Sequence, residues 1–285
     1  MLRFRGKPMP DTTLLMAIVN RTPDSFFDKG STYGLAEALD RVDQVVAEGA
    51  HIVDIGGVKA APGEEVTADE EAGRVVELVE QVRSRHPSLV ISVDTYRASV
   101  ARLVLEAGAD VINDAWEASD PGMFETVAAH GAGLVCTHAG HLPPRTRPHR
   151  VAYPDVVADV VATLTGLASR AVESGVPAEG VLIDPGHDFG KNTRHSLELT
   201  ARTSELVATG WPVLMALSRK DFVGEALDLL PDERLEGTLA ATAVCAWQGA
   251  RVFRAHDVPE TLRVLRMVDA IRGTTPPAVS VRGLA

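Results

Sequence analysis

The stretch LLMAIVN, residues 14–20, is an unbroken run of apolar side chains that ends on an amide. Its length suits one strand, and the absence of polar alternation requires burial on both faces, as in a parallel sheet covered by helices. The same design recurs along the chain. HIVDI (51–55) carries Asp54, LVISV (89–93) exits on Asp94, DVIN (110–113) gives Asn113 and Asp114, and GLVCT (133–137) leads to His138. VLID (181–184) ends on Asp184, PVLMA (212–216) leads to Ser218 and Lys220, and RVFRA (251–255) supplies Arg254 and leads to His256. Helical spacing fills the gaps, with Leu35, Leu39, Val42 and Val46 in one and Ala72, Val75, Val79 and Val82 in the next, three or four apart as a one-sided helix requires. Eight such units in 285 residues predict an α/β protein, a (β/α)8 TIM barrel, in one domain over 1–285 with its core at 14–272 and a flexible tail at 273–285. Barrel sites lie at the C-terminal ends of the strands, so the polar exits mark the expected site.

Composition narrows the function classes. A hydrophobic fraction of 45% with 24% charged residues is that of a globular protein, and the net charge of -11 argues against a nucleic-acid surface, which needs clustered cations. No apolar run reaches the roughly 18 residues of a membrane span, and the segment MLRFRGKPMPDTT lacks the apolar stretch of a signal peptide, so a cytoplasmic protein is expected. Cys136 and Cys245 lie in apolar runs and read as buried free thiols.

The last two strand exits, SRKDFVG (218–224) and RAHD (254–257), bring Arg219, Lys220, Arg254 and His256 together in an acidic chain. Barrels often hold phosphate at these loops, so an anionic ligand group is implied. Asn20 neighbours the eighth strand in a closed barrel, and an amide oxygen suits a phosphate-bound Mg²⁺. Asp54, Asp94, Asn113 and Asp184 remain as acceptors. Inward carboxylates are costly unless paired, which leaves two readings: each bonds to an internal cation, or a ring rich in N–H donors meets them. His138, His141 and His149 fit a polar loop better than a transition-metal site, since no His-Glu-x-x-His pattern or cysteine partner accompanies them.

Seven segments, in order, resemble the motifs of the dihydropteroate synthase family: AIVNRTPDSFFDKG (17–30), VDIGG (53–57), ISVDTYRASVA (91–101), VIND (111–114), LIDPGHDFGK (182–191), LSRKDFVG (217–224) and RLEGTLAATAVCAWQGARVFRAHDV (234–258). The resemblance covers about residues 14–272. It implies condensation of p-aminobenzoate with 6-hydroxymethyl-7,8-dihydropterin diphosphate, with Mg²⁺ as cofactor and pyrophosphate as the leaving group, in a homodimer. By the same resemblance Asp94, Asn113, Asp184 and Lys220 grip the pterin, with Arg254 stacked on it, and Asn20, Arg254 and His256 address the diphosphate. Asn20 is then the metal ligand, and Asp94, Asp184 and Lys220 form the catalytic set. The implied mechanism is dissociative: the diphosphate departs first, Asp94 and Asp184 stabilise the pterin methylene cation, and no protein nucleophile takes part.

The pattern breaks on one side of that site. The family's second loop reads Gly-Gly-Glu-Ser-Thr-Arg-Pro-Gly, whereas residues 56–63 read GGVKAAPG, with Lys59, Ala60 and Ala61 in place of Ser, Thr and Arg. Ala60 removes a hydroxyl used near p-aminobenzoate, and Ala61 removes a guanidinium that meets the diphosphate. A lost charged hydrogen bond costs about 1.5–3 kcal/mol, and more where it strengthens in the transition state, so a rate loss of roughly ten- to several-hundred-fold is expected. Lys59 is a flexible point charge without the bidentate fork of arginine. Asp221 replaces the family's Ser near the p-aminobenzoate carboxylate, Asp188 stands where Gly is usual, and HAGHLPPRTRPHR (138–150) departs from the usual Met-His-Met stretch. The leading expectation is a homologue with its pterin pocket retained and its synthase activity weak or absent. The alternatives are a synthase active on p-aminobenzoate or on another amine acceptor, and a non-catalytic pterin-binding or regulatory protein. Intact SRK and RAHD segments argue against a methyltetrahydrofolate-type methyltransferase. Helices around 236–249 and 258–272, with Leu239, Val244, Trp247, Leu262, Leu265 and Val268, are expected to cover the barrel and to offer a partner surface.

Overall fold

The computed structural model describes residues 1–22, 32–60, 62–146 and 152–283. Eight parallel strands form the barrel: β1 (Leu14–Asn20), β2 (Ile52–Gly56), β3 (Val90–Asp94), β4 (Val111–Asp114), β5 (Gly133–Thr137), β6 (Val181–Asp184), β7 (Leu214–Ala216) and β8 (Val252–Ala255). Each of β1 to β5 pairs with its successor, β8 joins β1 to β7, and the bridge between Ile183 and Val213 links β6 to the β7 side and closes the ring. Several strands begin and end about one residue later than their apolar runs, because the ladder carries on to the polar exits Asp94 and Asp114.

Helices α1 (Leu35–Glu48), α2 (Ala68–Arg85), α3 (Ala98–Glu106), α4 (Met123–Ala129), α5 (Val156–Glu173), α6 (Thr193–Ala201), α7 (Thr203–Val207), α8 (Asp221–Leu227), α9 (Leu235–Trp247) and α10 (Val258–Arg272) surround the strands. Local chemistry sets their ends. Thr67 and Glu70 cap the start of α2 reciprocally, and Gly49 ends α1 in the left-handed conformation. Ala38, Leu39, Val42 and Val45 of α1 are buried, as are Val75, Leu78, Val79 and Val82 of α2, all in the layer between helices and barrel. Leu262, Leu265 and Val268 of α10 join that layer, whereas Val244 and Trp247 of α9 are exposed. Among the described residues no helix is long and apolar enough to cross a membrane.

Alternate residues of each strand face inward. Leu14, Met16, Ile52, Val90, Val111, Val135, Leu182, Leu214 and Val252 fill the inside of the barrel, and Leu2, Phe4 and Met9 pack with them. These last three come from an antiparallel hairpin, Arg3–Phe4 against Lys7–Pro8, anchored by a 2.9 Å ion pair between Lys7 and Asp110. The expected core boundary at residue 14 is therefore too late. Two-residue strands are too short to show any periodicity, which hides this plug from a sequence reading. Residues 276–283 are exposed.

Candidate functional site at the barrel mouth

The inward register continues from the apolar floor into the mouth. Two residues above Ile52, Val90, Val111, Leu182 and Val252 stand Asp54, Ser92, Asn113, Asp184 and Arg254, and two above Ser92 stands Asp94. Asp54 is fully buried and receives three hydrogen bonds: from Ser92 Oγ at 2.6 Å, from Asn113 Nδ2 at 3.1 Å and from Arg254 Nε at 2.5 Å. Arg254 Nη2 donates at 3.2 Å to Asp94. Of the two readings left open for the inward carboxylates, Asp54 takes the internal one, since an arginine and two neutral donors satisfy it. Because Asn113 donates to Asp54 through its amide Nδ2, its amide oxygen remains as an acceptor.

The other acidic groups are less settled. Burial pushes the Asp94 carboxyl up to about 7, with the Asp54 and Glu71 charges adding to the rise and Arg254 opposing it. Burial also raises the Asp184 carboxyl, against the pull of Lys220 and of the Gly186 N–H, which donates to Oδ1 at 2.7 Å. Lys220 is lowered by burial and held partly up by Asp184 and Asp188. Its ammonium donates to the His187 carbonyl and lies 4.9 Å from the centroid of Phe189. The mouth thus holds carboxylates whose burial cost a ligand carrying N–H donors would relieve.

The last two loops differ from the sequence expectation in one respect. Arg219 is a structural group: its guanidinium grips Asp257 in a bidentate pair at 2.9 Å and also donates to the carbonyls of Pro231 and Asp232. His256 lies at Ser218, Nδ1 to Oγ at 2.9 Å. Burial, then the cations Arg254, Arg219 and Arg41, push its pKa down to about 3, so the ring is neutral at pH 7 and meets an anion as a dipole rather than as a cation. Asn20 ends β1 on the inward side, and its Oδ1 would stand 3.1 Å from a Cβ on Gly56. A side chain at 56 would crowd that amide.

Two residues of the polar exits point away from the mouth. Asp114 and His138 follow the outward register, one residue out of step with Asn113 and Thr137. Asp114 accepts the Trp116 N–H at 2.8 Å. His138 is fully buried between Asp159, at 3.0 Å, and Lys191, at 2.8 Å. Lys191 further donates to the carbonyls of His138, Gly186 and Phe189 and so holds the exit loop of β6 in shape. At Gly186, φ is +65° and a Cβ would lie 2.0 Å from the His138 carbonyl oxygen, so only glycine fits. His141 pairs with Glu117 at 2.9 Å. His149 lies outside the described residues, as does Ala61.

The rim is apolar on one side and acidic on another. Ala60 and Tyr96 pack against Ala115, Trp116 and Ala139, with Phe189 edge-on to Trp116 at 5.1 Å between centroids. Lys59 is half-buried on the same loop. Asp188 adopts a left-handed φ of +67° and turns its carboxylate to the start of α8, accepting the N–H groups of Asp221 at 2.7 Å and Phe222 at 3.4 Å. Asp221 itself is exposed and pairs with Arg234 at 2.9 Å. Ser92, Trp116, Tyr96 and Phe189 escaped the sequence reading. The usable signal for Ser92 was its position two residues before Asp94 in one strand; no pattern marked the aromatic residues.

A model of the family described as pterin binding enzyme matches residues 16–256. Inactive dihydropteroate synthase 2 of Mycobacterium leprae is 56% identical over 285 residues, covering 98% of either chain. Dihydropteroate synthase of Bacillus subtilis is 40% identical over 263 residues, covering 92% of this chain and 89% of that one. The crystal structure of Yersinia pestis dihydropteroate synthase in complex with a sulfonamide drug is similar at a TM-score of 0.90 and 35% identity, covering 96% of this chain and 99% of the other. This chain belongs to the pterin-binding enzyme family. Within it the chain is a divergent homologue of dihydropteroate synthase, with GGVKAAPG at residues 56–63.

Proposed function

We propose that this protein binds a dihydropterin diphosphate at the barrel mouth and condenses it with p-aminobenzoate weakly or not at all. The observation that carries the reading is the contrast within one site. The inward groups Asp94, Asn113, Asp184, Lys220 and Arg254 converge on the mouth, while the rim offers a methyl group at Ala60 and carboxylates at Asp188 and Asp221. In this reading the Asn113 carbonyl and the Asp94 and Asp184 carboxylates accept N–H groups of the ring, Lys220 donates to a ring acceptor, and Arg254 stacks on the ring. Asn20, Arg254 and His256 face the diphosphate. The names of the relatives support this reading, since an inactive dihydropteroate synthase 2 at 56% identity and a dihydropteroate synthase at 40% both resemble the chain.

In this reading Mg²⁺ would be held by the diphosphate together with Asn20. Asn20 is a single neutral oxygen donor, and the described residues hold no group of three His, Cys, Asp or Glu that could form a metal cage. A lone amide fits a magnesium ion already carried by phosphate oxygens and waters, where the ion would neutralise leaving-group charge. The protein's own contribution is to orient the ring and to hold Asp94 and Asp184 near a developing cation. A second reading, in which a neutral or cationic amine replaces p-aminobenzoate, draws on the presence of Asp188 and Asp221 on the rim, where each carboxylate is partly compensated, Asp188 by the N–H groups at the start of α8 and Asp221 by Arg234. Calorimetric titration with the pterin diphosphate and Mg²⁺, followed by p-aminobenzoate, tests the proposal. Saturable first binding without a second event is expected; absence of pterin binding would remove its basis.

A further inference from the structure

Thr137, the last residue of β5, shares the inward side of that strand with Val135 and is 3% exposed. Across the ladder it pairs in register with Asp184, and Asn113 of β4 stands opposite Val135 just below. Its methyl group is turned to the exit of β6: Cγ2 would lie 3.2 Å from a Cβ on Gly186. Its hydroxyl oxygen has no hydrogen-bond partner among the described residues. A buried hydroxyl left unmet is costly, and a valine of the same shape would avoid that cost. Other buried atoms without partners, such as Asp114 Oδ2 and His187 Nδ1, belong to an outward-facing residue and to a ring packed on Phe222. Thr137 alone of these three lies between two groups of the mouth.

We propose that Thr137 Oγ1 is a ligand contact of the barrel mouth and sets specificity at the ring edge lying between Asn113 and Asp184. A hydroxyl both donates and accepts, so it favours a heterocycle presenting a ring nitrogen, N–H or carbonyl there over one presenting C–H or an alkyl group. This inference rests on the pterin reading above.

The test uses the full-length protein, Thr137→Val and Thr137→Ser, each titrated calorimetrically with 6-hydroxymethyl-7,8-dihydropterin diphosphate and Mg²⁺ and each melted without ligand. The expected result is a Kd about 3- to 10-fold weaker for Thr137→Val, the effect of one neutral hydrogen bond. Thr137→Ser is expected within about twofold of the original Kd, and the ligand-free Tm of Thr137→Val is expected to be equal or higher. An unchanged or tighter Kd for Thr137→Val, or a Thr137→Ser as weak as the valine, overturns the inference. So does a lowered Tm or a failure of Thr137→Val to fold, which would show that the hydroxyl holds the structure rather than a ligand. An original protein that binds no pterin overturns the pterin reading itself, and this inference with it, before any variant is compared.

Discussion

Arg254 and the carboxylates it serves form one region of the mouth, and the rim loops at 56–63, 185–191 and 218–221 form another. In the first, Asp54 accepts three hydrogen bonds in full burial and Arg254 reaches Asp94 at 3.2 Å. In the second, Asp221 has an 80% exposed side chain held to Arg234 by an ion pair, and Ala60 packs a methyl group against Trp116 and its neighbours. The difference is one of constraint. Strand register and charge pairing bind the first region to the stability of the barrel, so loss of Arg254 leaves the buried Asp54 charge unmatched. Ala60 and Asp221 carry no such coupling and are free to change without endangering the fold, although Gly186, Lys191 and Arg219 in the same loops are held by their surroundings. A homologue can therefore lose an acceptor site and keep the place where a pterin is held.

The largest expected effect breaks the first region. Arg254→Leu strands Asp54 and Asp94 in the barrel, and breaking a buried ion pair costs about 3–5 kcal/mol; chemical denaturation reads this, and a loss below about 1 kcal/mol would argue that the pairing is not structural. Next comes Asp184→Asn, which keeps shape but removes charge from an acceptor bonded to Gly186. Pterin affinity is expected to fall about 10- to 100-fold, the worth of a charged hydrogen bond, with little change in Tm.

Asp94 gives a smaller and pH-dependent effect. With its carboxyl held up to about 7, its ionised fraction rises from about one tenth at pH 6 to about nine tenths at pH 8, so pterin affinity should improve up to about tenfold across that range. Asp94→Asn should flatten the profile. The stability of the ligand-free protein runs the opposite way: the folded state binds more protons than the unfolded chain between about pH 4 and 7, so this group's contribution to stability falls as pH rises through that window. The smallest effect belongs to the rim. Asp221→Asn removes an exposed ion pair, and a stability change below about 1 kcal/mol is expected; a larger loss on denaturation would show that the rim is structural after all.

The sequence made the barrel legible because each strand is apolar on both faces and exits on a polar group. That same uniformity concealed which residues face inward. An all-apolar run has no visible parity, so the pattern of polar exits does not separate Asp114 and His138 from the mouth residues although both lie in the outward register. Pairing between distant segments was equally hidden. Arg219 and Asp257 form a bidentate pair 38 positions apart, and nothing local in either segment distinguishes Arg219 from its neighbour Lys220, whose ammonium does reach the mouth. The side chains expected to grip a ring were legible through motif order, whereas Trp116, Phe189 and the Thr137 hydroxyl depend on packing that no spacing encodes.

Pyrophosphate release, followed continuously with saturating pterin diphosphate, Mg²⁺ and p-aminobenzoate on protein shown by calorimetry to bind the pterin, tests the separation of holding from making most directly. The account predicts pterin binding with turnover far below the roughly 1 s⁻¹ ordinary for an enzyme. Turnover at or above that rate would contradict it.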